Sequence, residues 1–84
     1  MDTVVELWRK PRVLQVTGKK HAKFQKEISE GLFVPPVKDG RSSTWPSNEV
    51  AAINAARIAG KSEDEIRVLV ANLVSARKHG QIAA

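Results

Sequence analysis

Lys19, Lys20, Lys23 and Lys26 fall within the stretch KKHAKFQKEISEG, and Arg41 follows the turn-forming pair Asp39-Gly40 in PVKDGRSSTW. Ammonium and guanidinium groups gathered in this way make no bonds themselves. They hold phosphate oxygens, the lysines as point charges and the arginine as a planar fork. From Arg9 to Lys26 the chain carries Arg9, Lys10, Arg12, Lys19, Lys20, Lys23 and Lys26 and no acidic residue, whereas a merely soluble surface mixes both signs. After Trp45 the balance is close to even, because Arg57, Lys61, Arg67, Arg77 and Lys78 face Glu49, Glu63, Asp64 and Glu65. With a net charge of +5 and a pI near 10.0, the first half of the chain is the half that faces an anionic partner, nucleic acid or an acidic membrane surface.

Other chemistries find little support. The chain has no cysteine, which excludes disulfides and thiolate zinc sites. His21 and His79 are far apart and have no clustered carboxylates near them, so no metal site is expected. No Ser/His/Asp arrangement has a recognisable spacing, and no glycine-rich phosphate loop is present; the expectation is a protein that is not an enzyme and needs no cofactor. At 84 residues the chain is expected to be a single domain over 1–84, too small to enclose a deep catalytic cavity. Its first residues, MDTVVELWRKPR, place an acid before a short apolar run and bases after it, the reverse of a secretory signal. No apolar run approaches the roughly 20 residues that span a bilayer. A soluble cytoplasmic protein without a membrane partner is expected.

The elements that must position the cations can be read in order. Val4 to Trp8 suits a short strand. Pro11 fits the first position of a short helix through Val16 that Gly18 ends. A second short helix follows up to Gly31, with Phe24 and Ile28 on one face, His21 at the edge of the core, and Lys19, Ala22, Lys23, Lys26 and Ser29 pointing away from it. Two short helices so joined make a helix-turn-helix. Pro35 and Pro36 then force extended chain, and Asp39-Gly40 suits a two-residue type I′ turn between Val37-Lys38 and Ser42 to Trp45. Trp8 and Trp45 are read as core. Pro46 and Ser47 introduce a third helix with Ser47 or Asn48 as N-cap and Glu49 near its positive end. Val50 and Ile53 face inward, with Asn54 and Arg57 awkwardly on the same side.

Ser62 to Glu65 matches a capping box, and a fourth helix over residues 62–78 carries Ile66, Leu69, Val70, Leu73 and Val74 as an amphipathic stripe. The stripe is expected to fold back on Trp8, Val50 and Ile53 within one chain. Val68 lies outside it and offers a small apolar spot for weak self-association on DNA.

RVLQVTG, EGLFVPPVKDGRSSTW and NEVAAINAARIAGKS, taken together in this order and spacing, resemble the AlpA family of prophage and integrative-element regulators, itself similar to excisionase and MerR-like proteins. The resemblance runs from about Glu6 to Lys78. It implies a mainly α fold with a small β-hairpin wing, a winged helix-turn-helix plus a C-terminal helix. It also implies double-stranded DNA as partner, at a promoter or attachment site of a mobile element, in the bacterial cytoplasm and nucleoid. The family's wing arginine falls on Arg41, the residues opening its recognition helix fall on Lys20, His21, Ala22 and Lys23, and its tyrosine and basic pair fall on Gln25 and Lys26. The candidate DNA contacts are therefore Lys19, Lys20, Ala22, Lys23, Gln25 and Lys26 on the second helix, and Lys38, Arg41, Ser42 and Ser43 on the hairpin. Lys19 and Lys20 replace a hydrophobic residue and a serine cap, which costs the helix start about 1 kcal/mol. Glu27 stands where an apolar residue is common.

Two jobs share this chemistry, transcription factor and excision directionality factor. A reading of another class is a protein-interaction adaptor or anti-repressor that uses the cationic face or the fourth helix.

Overall fold

The structure, a computed structural model, describes residues 4–78; His79 lies outside them. Helices dominate, with a small antiparallel sheet. The order is β1 (Leu7–Arg9), α1 (Lys10–Thr17), α2 (His21–Ser29), β2 (Val37–Asp39), β3 (Ser42–Pro46), α3 (Ser47–Ile58) and α4 (Glu63–Lys78). The sheet is three-stranded with β3 in the centre, in the order β1-β3-β2. No described helix is long and apolar enough to cross a membrane.

The first strand is displaced from the Val4 to Trp8 expected. Its pairing with β3 decides its limits, Leu7 opposite Pro46, Trp8 opposite Trp45 and Arg9 opposite Thr44, while Val4 stays exposed. Trp8 is only half-buried, because its ring lies at the rim of the core under the Arg12 guanidinium, 4.9 Å from the ring centroid.

Helix α1 begins one residue earlier than expected, so Pro11 lies within its first turn and not at its first position. It ends at Gly18, whose N–H donates to the Leu14 carbonyl at 2.9 Å. Helix α2 has no side-chain cap at Lys20, as the residue types imply. Its other end is closed firmly. The Leu32 N–H reaches back to the Glu27 carbonyl at 2.8 Å and the Gly31 N–H to that of Ile28 at 3.2 Å, with Gly31 at φ +78°. This is a Schellman ending, which reverses the chain and drives Leu32, Phe33 and Val34 into the core.

The hairpin turn differs from the expected one. Asp39 pairs with Ser42, so the central residues are Gly40 and Arg41. Gly40 has φ +63°, and no described non-glycine residue has positive φ. Positive φ at the first central position alone is the type II′ pattern, which wants glycine there. Inward-facing Thr44 favours this register. It stands opposite Val37, is buried, and donates its hydroxyl to the Val37 carbonyl at 3.0 Å.

Neither Ser47 nor Asn48 caps α3, since the N-cap is Pro46. The Ser47 hydroxyl instead accepts the Glu6 N–H at 2.8 Å, and the Ser47 N–H donates to the Glu6 carbonyl at 2.7 Å, tying the start of α3 to β1. The capping box of α4 forms as expected, with Ser62 N–H to Glu65 Oε1 at 2.9 Å and Glu65 N–H to Ser62 Oγ at 3.2 Å. The Ser62 backbone N–H, and the Ser62 side chain after it, favour the charged form of the Glu65 carboxyl and hold its pKa below the ordinary 4.5, with nearby Lys61 adding a smaller pull.

One core joins the four helices to β3. Val13 of α1, Phe24 of α2, Trp45 of β3, and Val50 and Ile53 of α3 are fully buried together with Ile66, Val70 and Leu73 of α4. The α4 stripe is therefore covered within one chain, and Val68 is left 61% exposed.

Candidate nucleic-acid interface

Helix α2 presents its two sides cleanly. Phe24 is fully buried, and Ile28 packs beside it against the core. Ala22, Lys23, Gln25, Lys26 and Ser29 are exposed, as is Lys20 at the helix entrance. At 100° per residue Ala22, Lys23, Gln25, Lys26 and Ser29 sweep one continuous arc opposite Phe24. His21 is also exposed and does not pack at the core edge. Its Nδ1 lies 3.1 Å from Lys10 Nζ, so α1 contributes one more cation at the start of α2 that the pattern of residues gave no means of placing there.

The hairpin carries the second set of candidates. Phe24 meets Trp45 edge to face, and Ser43 shares the Trp45 face of β3 because side chains alternate along a strand. Lys38 stands opposite Ser43 and donates to its hydroxyl at 2.9 Å. Lys38 and Ser43 thus continue, towards the hairpin tip, the sheet face that Phe24 touches at Trp45. Arg41 is exposed in the turn itself, Lys38 is exposed on β2, and Ser42 and Ser43 are half-buried.

Lys19 does not join this surface. It lies in the turn before α2, outside the helix, and its ammonium is 2.9 Å from Glu27 Oε1 with only 11% of its side chain exposed. Arg57 of α3 approaches the other oxygen of Glu27 at 3.4 Å, although its Nε is buried without a hydrogen-bond partner. The unusual acid at position 27 and the awkward arginine at position 57 explain one another, and together with Lys19 they fasten the α1–α2 turn and α2 onto α3. Asn54, the other misplaced polar residue of α3, donates to the Val16 carbonyl at 3.3 Å and holds α1 in the same way. Only the odd polarity of positions 27, 54 and 57 hinted at these contacts.

The cations divide into two populations. Among the described residues, the ion pairs engage Lys19, Arg57, Arg67 and Arg77. None engages Lys20, Lys23, Lys26, Lys38 or Arg41. The arginines of α3 and α4 are compensated locally, whereas the cations on the outer face of α2 and along the hairpin are directed to solvent. Unpaired cations of this kind attract anions.

Comparison with protein-family models, with curated proteins and with solved structures finds no match to this chain.

Proposed function

We propose that this chain is a sequence-specific double-stranded DNA-binding protein built as a winged helix-turn-helix. In this reading α1 and α2 form the helix pair, α2 enters the major groove, and the β2–β3 hairpin is the wing on the adjacent backbone or minor groove. One observation carries it: the cations on α2 and the hairpin have no ion-pair partner among the described residues, while Arg57 of α3 and Arg67 and Arg77 of α4 do. Lys20, Lys23, Lys26 and Arg41 hold phosphates. Ala22 and Gln25, exposed on the same arc of α2, are placed to meet base edges, Ala22 against a thymine methyl and Gln25 against adenine.

The resemblance of RVLQVTG, EGLFVPPVKDGRSSTW and NEVAAINAARIAGKS to the AlpA family supports a regulator of a prophage or integrative element, working in the bacterial cytoplasm without a cofactor. It serves as transcription factor, as excision directionality factor, or as both, since occupying a promoter and bending an attachment site need the same contacts. The adaptor reading is the weaker one, because Ile66, Val70 and Leu73, which would form its docking surface on α4, are buried in the core.

Fluorescence anisotropy with duplexes tiled across the parent element's promoter and attachment regions tests the proposal. Saturable binding to a discrete site is expected, with log K falling by about 0.9 per phosphate contact for each unit of log salt. Binding that is absent, or flat in salt, would sink it.

A further inference from the structure

Helix α4 lies outside the proposed helix pair and wing, yet one of its side chains reaches the segment that leads into the hairpin. Arg77 forms a fork on Glu49, with Nε at 3.1 and 3.0 Å from the two carboxylate oxygens and Nη2 also on Oε1. The same Nη2 donates to the Pro35 carbonyl at 3.0 Å. Glu49 is buried in the first turn of α3, where the helix end favours its negative charge. Arg77 is thus fixed by a carboxylate that is itself fixed, and its remaining hydrogen bond goes to the chain just before β2.

That segment has few other means of being held. Pro35 and Pro36 have no N–H to donate, so their anchoring falls to carbonyls and to the residues before them. Phe33 packs edge-on against Phe24 of α2 with ring centroids 5.1 Å apart. The Val34 carbonyl accepts the Trp45 indole N–H at 3.0 Å, and the Pro35 carbonyl accepts Arg77. Three successive residues are therefore held by α2, β3 and α4 in turn. The last of these anchors is nearest the hairpin.

From this geometry we infer that Arg77 is a positioning residue for the hairpin: it sets the pose of β2 and β3 relative to α2, and so governs DNA contact by Arg41 without touching DNA. The inference rests on the DNA-binding reading. Lysine's nitrogen lies one bond nearer its Cα than arginine's Nη2, so an ammonium at position 77 stays with the buried Glu49 carboxylate and falls short of the Pro35 carbonyl; Arg77→Lys thereby separates the two tasks. Glu49→Gln makes the opposite separation, weakening the buried ion pair while leaving the Pro35 hydrogen bond in place.

The test measures duplex affinity and thermal midpoint for the full chain and for Arg77→Lys, Glu49→Gln, Arg41→Ala and the double variant Arg41→Ala/Arg77→Lys. Arg77→Lys should weaken binding about fivefold and lower the midpoint by no more than one lost hydrogen bond allows. Glu49→Gln should lower the midpoint and bind within about twofold of wild type. The double variant should bind no more weakly than Arg41→Ala alone, because both changes remove the same wing contact. Wild-type affinity in Arg77→Lys, or effects of the two changes that multiply, would overturn the inference while leaving the DNA reading standing. No duplex binding by the wild-type chain would remove the DNA reading itself, and this inference with it.

Discussion

Phe24 and Trp45 meet edge to face, their ring centroids 5.2 Å apart and their planes inclined at 63°. Phe24 belongs to the helix with the cationic face and Trp45 to the central strand of the hairpin sheet, so this aromatic contact joins the two parts of the candidate interface. Both rings are fully buried, and such pairs contribute about 0.5–1.5 kcal/mol beyond the area they cover. Trp45→Ala should therefore lower stability by about 3–5 kcal/mol, further orphaning the Val34 carbonyl. Urea unfolding followed by circular dichroism measures this. A loss under 1 kcal/mol would show that the ring is not central to the core.

Arg41→Ala should have the opposite profile. An exposed residue in a turn contributes within about 0.5 kcal/mol to folding, so the thermal midpoint should hold while duplex affinity falls. Normal binding by this variant would exclude the hairpin tip from recognition.

Lys19 and Lys26 are neighbours in sequence composition but not in function, and alanine at each should distinguish them. Lys26→Ala should reduce the slope of log K against log salt by about 0.9, with stability unaltered. Lys19→Ala should leave the slope alone and cost about 1–3 kcal/mol, because it strips the closest partner from the buried Glu27 carboxylate. Equal effects on the slope would mean that Lys19 leaves Glu27 when DNA arrives.

The Glu65 cap makes a small contribution to stability that depends on pH. Its carboxyl is held below the ordinary 4.5 by the Ser62 hydrogen bonds. A depressed folded-state pKa contributes stability that is complete above the unfolded value and is lost as pH falls through the folded one. Wild type should accordingly exceed Glu65→Gln in stability at neutral pH, and the gap should narrow as pH drops below 4.5. Chemical denaturation of both proteins between neutral and acid pH follows it. A gap independent of pH would assign the cap no charge-dependent share.

Removal of everything after Gly60 should unfold the domain, since Ile66, Val70 and Leu73 complete the core from α4 and a chain this short has few kcal/mol to lose. Circular dichroism decides between a random coil, which is expected, and a cooperatively melting remnant, which would make α4 an added layer.

Much of the fold was legible because local patterns determine it. The helix ends at Gly18 and Gly31, the capping box at Ser62 and the stripe from Ile66 to Val74 each follow from spacing alone. What escaped was decided by partners distant in the chain. Asp39-Gly40 has the local signature of a type I′ turn, yet the burial of Thr44 moves the loop to Gly40-Arg41. Ser47 has the chemistry of an N-cap, yet Glu6 engages its hydroxyl first. Lys19 shares its charge with the rest of the cationic run, and no property of that run says which lysine will find Glu27. For the site, sequence identified the exposed arc of α2 and the arginine of the hairpin; the Arg77 link from α4 to Pro35 left no mark in it.

The central place of β3 also shapes how the chain comes together in time. Pairing of β2 with β3 closes a loop of two residues, Gly40 and Arg41, whereas Leu7 must find Pro46 across the whole helix pair and β2. Loop closure taxes the second event far more than the first. A nascent hairpin can form as soon as Pro46 is available, but β1, synthesised long before, has to wait unpaired with its N–H and C=O groups open. Folding should therefore end at the amino-terminal strand, and the Glu6–Ser47 hydrogen bonds should be among the last to gain protection from hydrogen exchange.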